Sequence, residues 1–309
     1  MKIRVVILKK RQIILSLIII LFIILTFSLL SYFMKNSTTE AITLINDNKV
    51  IKEDLNGDGS KDTLYINNKD NKYYMEISTG SEVQHISCNK KLDTLGSFNP
   101  CWPMRLEIKD ISRNRTPEIF IQSSENSLPV QHVFTYNNNK FNDIFCSNGN
   151  FLGFLDSNNS RTPKFLSGDI KNGTLDIGYY ILNNNELKNY SFDKTVFPGA
   201  KSIVDFVSYM ESLPYGEEFK PDVFYDGLSG NALYAIGKIS AECSEVTFLD
   251  GYFVDTAWGN DGNILGLECF FNFKGSLKDS TNFTAYSLKV ILKPDPTCNN
   301  EFKIYSITI

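Results

Sequence analysis

Three hydrophobic patterns follow one another along the chain. From Ile13 to Phe33 it reads IILSLIIILFIILTFSLLSYF, 21 residues without a charge, Gly or Pro. At about 1.5 Å of rise per residue a helix of that length spans roughly 31 Å, the hydrocarbon thickness of a bilayer. In the next stretch, KVIKE, TLYINN, YYMEIS, HVFTYN and LDIGYYIL alternate apolar and polar residues, the period of half-buried strands. Polar turns (NKDNK, SENSLP, DIKNG) separate them. The period then lengthens. Ile203, Phe206, Val207, Met210 and Leu213 fall on one face of a helix predicted over Ala200–Leu213, which Pro214 stops. A second helix is predicted over Ser229–Ser240 with Leu233, Ile236 and Ile239 inward, weakened by Gly237. The strand runs VTFLDGYFVDTAW, ILGLECFFNF, FTAYSLKVIL and FKIYSITI follow, the first two joined through Asn260-Asp261-Gly262-Asn263, a hairpin signal.

The predicted fold class is therefore mainly β with an α+β C-terminal part and an N-terminal transmembrane helix. Five basic residues (Lys2, Arg4, Lys9, Lys10, Arg11) and no acid precede the apolar run. The excess of Lys and Arg keeps the N-terminus cytoplasmic and places the bulk of the chain outside the membrane. The expected organisation is a cytoplasmic tail over 1–12, a membrane helix over 13–33 and a linker over 34–45. A β-repeat domain over 46–197 and an α+β domain over 198–309 complete it. The alternative for the N-terminus is a cleaved signal peptide, but those have apolar cores of about 7–15 residues and a small-residue cleavage site. This run is longer and ends in SLLSYFMK.

The whole chain carries a formal charge of −4, and removing the five positive charges of the tail leaves −9 on the rest. A mildly acidic exported region without a basic patch argues against nucleic-acid binding. An aromatic content of 13% supports a β-rich core. The six cysteines (Cys88, Cys101, Cys146, Cys243, Cys269, Cys298) include no C-x-x-C, so neither a zinc site nor a thioredoxin-like motif is indicated. Export permits disulfides. With three cysteines on each side of residue 198, either a bridge ties the halves together or at least two thiols stay free. Cys88 with Cys101 is the most local candidate pair.

The sharpest chemical signal is Asp54-Leu-Asn56-Gly-Asp58-Gly59-Ser60-Lys-Asp62. Oxygen-bearing side chains occupy positions 1, 3, 5 and 9, Ser60 offers its backbone carbonyl, and Gly59 permits the sharp turn. Hard oxygen ligands in such a flexible loop suit Ca²⁺ better than Mg²⁺. Position 12 is Tyr65, where an EF-hand needs a bidentate Glu, and the flanks alternate as strands do. The metal-free alternative is an Asx-rich turn between two strands.

The segment DLNGDGSKDTLYI, Asp54 to Ile66, resembles the FG-GAP or VCBS repeats of integrin-α-like β-propellers. Two weaker echoes follow. One runs from Asp110 through Ser112 and Asn114 to Glu118, with Arg115 in place of the glycine. The other runs from Asp156 through Asn158 and Ser160 to Lys164, which replaces the last acid. The starts lie 56 and 46 residues apart, within the range of a structural repeat. The first loop is expected to hold calcium; in the third, Lys164 is expected to act as an internal cation. Three blades do not close a propeller, so the resemblance implies an open, partial propeller, or a sheet array that borrows the loop. Its edges need cover from the second half of the chain or from another molecule. The C-terminal part looks somewhat like an NTF2- or cystatin-type fold.

Enzyme signatures are weak. Gly227-Leu-Ser229-Gly-Asn231 approaches a nucleophile elbow, but Asn231 stands where Gly is needed. His85 and His132 are the only histidines. Tyr225, Asp255 and Trp258 are candidates for a C-terminal pocket, with packing roles as the alternative. The sequence thus suggests a membrane-anchored, bacterial cell-surface binding protein, not an enzyme, with a calcium-stabilised β-region and an extracellular protein or glycan as ligand. A surface hydrolase with its site near Asp255 or Glu268 is the first alternative. An envelope sensor is the second.

Overall fold

The computed structural model describes residues 11, 19–23, 26, 43–45, 48–80, 82–89, 91–156, 162–190, 197–215 and 220–309. Met1–Ala41 and Ile42–Ile309 form separate compact units. In the first, residues 19–23 and 26 are helical, and the Thr26 hydroxyl donates to the Ile23 carbonyl at 2.9 Å. Most of the run 13–33, expected to cross the membrane, lies outside the described residues. Among the described residues no helix is long and apolar enough to cross a membrane.

The second unit is mainly β, built from several sheets, none closed on itself. Thr43–Ile45, at the end of the stretch read as a linker, forms β1. A four-stranded meander follows, made of β2 (Lys49–Glu53), β3 (Asp62–Lys69), β4 (Lys72–Thr79) and β5 (Glu82–His85). The next comprises β6 (Met104–Lys109), β7 (Glu118–Glu125), β8 (Leu128–Asn137) and β9 (Lys140–Ser147), with β1 added beside β6. A third comprises β10 (Phe151–Leu155), β11 (Lys164–Lys171), β12 (Thr174–Asn183) and β13 (Glu186–Asn189).

The connections repeat as closely as the strands do. In each meander the first runs over eight residues (54–61, 110–117, 156–163) and the other two over two residues each. Turn chemistry sets the short ones. Asp70-Asn71, Asn126-Ser127, Asn138-Asn139 and Asn184-Asn185 all place both central residues at φ of 51–63°. That is the type I′ geometry matching the twist of paired strands, and Asn and Asp tolerate it best among residues with a Cβ. The abundance of asparagine in the chain thus has a local structural use.

The C-terminal part supplies α1 (Ala200–Glu211), α2 (Gly230–Glu242), β14 (Cys243–Trp258), β15 (Ile264–Leu277), β16 (Phe283–Asp295) and β17 (Glu301–Thr308). Both helices lie close to where the sequence periodicity places them. Ser229 caps α2 by accepting from the Ala232 amide. Leu233, expected inward, is instead exposed; Ala232, Ala235, Ile236 and Ile239 form the buried face.

The antiparallel ribbon β14–β17 does not stand alone. Phe151–Phe154 of β10 pairs in parallel with Gly251–Val254 of β14, so one eight-stranded sheet runs from β13 to β17 across residue 198. The second half of the chain therefore covers the edge of the third meander. Packing is layered. Leu64, Ile66, Met75 and Ile77 of the first meander meet Ile119, Ile121 and Phe134 of the second in one core. The opposite face of the second meander meets the large sheet through aromatic rings. Phe120 sits 4.7 Å from Phe154, edge to face, and Phe145 lies 5.0 Å from Tyr180. Such pairs contribute about 0.5–1.5 kcal/mol each beyond their buried area. The far face of the large sheet takes α1 and α2, with Ile203, Phe206, Met210 and Ile239 against Phe253, Phe271 and Leu288.

Candidate functional site

The loop from Asp54 to Ser60 joins β2 to β3, and its acids are placed by the backbone. Asp54 accepts the Gly57 and Gly59 amides on its two carboxylate oxygens, both at 2.8 Å. Asn56 accepts from the Asp58 amide and Asp58 from the Ser60 amide, at 2.9 and 2.7 Å. Asp62, buried at the start of β3, accepts the Leu55 and Asn56 amides on Oδ2. Gly57 and Gly59 sit at φ of 78° and 88°, a region only glycine enters without strain.

The five predicted ligand residues thus lie in one short loop. Burial is the main cause that pushes the Asp62 carboxyl above its ordinary range, with the charges of Asp58 and Asp54 adding to it. Asp58, fully in solvent, is held below its range by the Ser60 amide and the Asn56 side chain. Among the described residues no three His, Cys, Asp or Glu side chains converge as a metal cluster would.

The second loop repeats the backbone path with poorer chemistry. Asp110 accepts the Arg115 amide at 2.8 Å, as Asp54 accepts that of Gly59, and Glu118 accepts the Ile111 amide at 2.9 Å, as Asp62 accepts that of Leu55. Arg113 and Arg115 hold φ of 59° and 71° where the first loop has its glycines. The two loops touch: a Cβ on Gly57 would fall 2.5 Å from Thr116 Oγ1. In the third loop the Lys164 ammonium lies 2.6 Å from Asp156 Oδ2, a cation supplied by the chain itself.

Other candidates are committed to structural partners. His132 is buried, with Nδ1 2.7 Å from Asp143 Oδ2 and Nε2 2.8 Å from the Thr94 carbonyl, so neither ring nitrogen can reach a substrate. His85 is exposed beside Glu76. Asp255 accepts from the Trp258 indole at 2.8 Å and from the Asp156 amide at 2.5 Å. Tyr225 lies beyond β17, three strands away from β14, stacked on Tyr305 at 4.2 Å. The structure brings Asp255 and Trp258 together and leaves Tyr225 apart. The six cysteines are free thiols.

A polar seam between β6 and the large sheet escaped the sequence reading. Arg105 and Asp250 are both buried and paired at 2.9 Å. The Trp102 indole donates to Asp250 at 2.7 Å, and Arg105 Nη1 donates to the Phe270 carbonyl at 3.1 Å. Burial pushes Asp250 upward against the Arg105 charge and lowers Arg105 against that of Asp250. Two residues along β6, Glu107 is pushed up to about 8 by burial, only partly offset by Lys109. The one sequence signal was MRLEIK, where charges fill alternate positions of a strand.

Glu107 carries a pH prediction. The folded state keeps its proton up to about 8, whereas an unfolded glutamate releases it near 4.5. Its contribution to stability is complete below the unfolded value and is lost as pH rises through the folded one. Thermal melts between pH 5 and 9 should therefore show a fall in melting temperature that Glu107→Gln flattens. An unchanged slope in the variant would show that Glu107 ionises freely in the fold. Glu118, pushed up to about 7 by burial, contributes with the same sign and leaves a residual slope.

No protein-family model matches the chain, and no curated protein matches it.

Proposed function

We propose that this chain is a membrane-anchored extracytoplasmic binding protein. Its three meanders are FG-GAP/VCBS-like repeats, the first of them stabilised by Ca²⁺. One observation carries the reading: three successive meanders share an eight-residue first connection, and the acidic, glycine-turned version of it lies in the first. Asp54, Asn56, Asp58, Asp62 and the Ser60 carbonyl would hold the ion. The donor set suits a hard cation in chemistry, being all oxygen with three carboxylates, and the charges of Asp58 and Asp54 that add to burial in raising Asp62 are what a divalent cation would relieve. Bound Ca²⁺ would supply charge neutralisation and no reaction chemistry. The Lys164–Asp156 pair supports the same view of the third loop, where a fixed ammonium takes the place of an ion.

The anchor rests on the uncharged run 13–33 behind a basic tail. A partner, protein or glycan, would dock on the β-surface or in a C-terminal pocket. A groove of about 690 Å³ offers one such place, with Tyr74, Ile86, Leu92 and Leu128 on its walls and the Lys72–Glu125 ion pair at its rim. The hydrolase alternative draws no support from Asp255, whose carboxylate is engaged by Trp258 and the Asp156 amide.

Thermal melts of the full-length chain in millimolar Ca²⁺ and in EGTA test the calcium reading. Binding to the folded state alone stabilises by about 2.7 kcal/mol when the ion is at a hundredfold its Kd, a shift of several degrees. Asp58→Ala should abolish the shift. Equal melting temperatures with and without calcium in the wild type would sink the metal site.

A further inference from the structure

Two of the three partly buried thiols of the first half, Cys88 and Cys146, flank a contact between two sheets. Cys88 lies just past β5 and packs against the core between the first two meanders. Its neighbour Asn89 donates its amide to Asp143 Oδ2 at 2.6 Å. Asp143 is on β9, and the same oxygen lies 2.7 Å from His132 Nδ1. His132 is in direct register with Cys146. A bulge between Val133 and Phe134 turns Asp143 onto the face that Cys146 shares with His132. The chain leaving the first meander is thereby pinned over the end of β9, with one thiol on each side of the contact. The other four thiols are placed differently. Cys243 bonds to Tyr286, Cys269 is buried in the helix-side core, and Cys298 sits beside Thr297 on a turn. Cys101 begins the turn before β6, its amide donating to the Asn99 side chain.

We propose that Cys88 and Cys146 are oxidised to a disulfide that staples the first meander to the second. Burial, with smaller contributions from the charges of Asp143, Asp93 and Cys146, pushes Cys88 up to about 12, so Cys146 is among its neighbours. Thiols that ionise reluctantly are poor leaving groups, which favours the oxidised pair once it has formed.

The oxidant is an external disulfide, such as oxidised glutathione or a thiol–disulfide oxidoreductase. The Cys146 thiolate attacks one oxidant sulfur, forms a mixed disulfide and expels one thiolate. The Cys88 thiolate then attacks the Cys146 sulfur of that mixed disulfide. The Cys88–Cys146 bond forms, the second oxidant thiolate leaves, and the two protons pass to solvent. Two protein thiols are oxidised by two electrons and one external disulfide is reduced to two thiols. This inference does not rest on the calcium reading, because the test supplies the oxidant.

The test incubates the folded full-length chain in a glutathione redox buffer, quenches with iodoacetamide and maps non-reduced peptides by mass spectrometry. A peptide pair joining Cys88 to Cys146 is expected, with Cys101, Cys243, Cys269 and Cys298 alkylated once the oxidised sample is unfolded in iodoacetamide, since Cys243 and Cys269 are buried in the fold. Closing a loop of this length should raise the melting temperature by roughly 5–15 °C, reversibly with dithiothreitol. Cys88→Ser and Cys146→Ser should each lose that redox-dependent shift, and Cys101→Ser should keep it. Recovery of both Cys88 and Cys146 as alkylated thiols after oxidation would overturn the proposal, as would a bridge from either one to another cysteine. The peptide map reads the wild type, so it decides the question even where a serine variant fails to fold.

Discussion

Asp250→Ala is expected to destabilise the fold by about 3–5 kcal/mol, because it leaves the Arg105 guanidinium buried without its counter-charge. The position is exacting. Both side chains are excluded from solvent, Arg105 keeps the Phe270 carbonyl as its one hydrogen-bond partner among the described residues, and the Trp102 indole loses its acceptor. Arg105 cannot escape by losing its proton, since guanidinium stays charged in proteins. At about 2–4 °C per kcal/mol for a unit of this size, the melting temperature should fall by roughly 6–20 °C. Urea unfolding gives the free energy directly. A double replacement, Arg105→Leu with Asp250→Leu, should recover much of the loss, because a well-packed apolar pair often equals a buried ion pair. A loss below about 1 kcal/mol in the single variant would mean that water reaches the guanidinium, as it does in exposed pairs.

Gly153→Ala should cost about 3 kcal/mol or more, at the upper end of what overpacking a close-packed interior produces. Gly153 lies on β10 opposite Phe253 of β14, within the parallel pairing that joins the two halves of the chain. A Cβ there would land on the Phe253 ring and 2.5 Å from its carbonyl oxygen. The ring cannot swing aside, being stacked between Phe151 and Phe197 at 5.0 and 4.6 Å. Hydrogen exchange offers a sharper readout than a melt. The amides of β10 and of residues 251–254 should lose protection together, while those of β3 and β4 keep theirs. Uniform loss across all three meanders would show that the sheets unfold as one cooperative block.

What the sequence revealed was the part of the fold written in local chemistry. The period-2 runs at 63–68, 73–78 and 132–137 fall within β3, β4 and β8, because alternation decides which face is buried. The helix over Ala200–Glu211 is legible from its 3.6-residue period, and the turn before β15 from Asn260-Asp261-Gly262-Asn263. Lys164 was expected to serve as an internal cation, and its 2.6 Å contact with Asp156 has that form. The loop at Asp54 was visible because its five donors lie within nine residues.

Partners distant in sequence were not legible. Nothing in MRLEIK or VTFLDGYF says that Arg105 meets Asp250, since that pairing depends on how two sheets stack. β1 passed as linker because three residues are too few to show a period. Leu233 was placed inward by counting apolar residues. The buried face of α2 instead uses the small Ala232 and Ala235, which let the helix approach the sheet closely.

The parallel pairing of β10 with β14 also governs the order in which the molecule can assemble. Its partners are 100 residues apart, Phe151 opposite Gly251, and closing so long a loop is slow compared with zipping a hairpin. Chains are made from the N-terminus. The strand pairings inside the first two meanders are local and can therefore form while β10 still lacks its neighbour, with the Arg105–Asp250 seam closing only later. Until residues 251–254 arrive, that strand presents an unsatisfied edge flanked by Phe151 and Phe154, a template for pairing with another chain. The interval between making β10 and making β14 is thus the period in which this protein is most exposed to aggregation, and slowing synthesis between the two should lower its soluble yield.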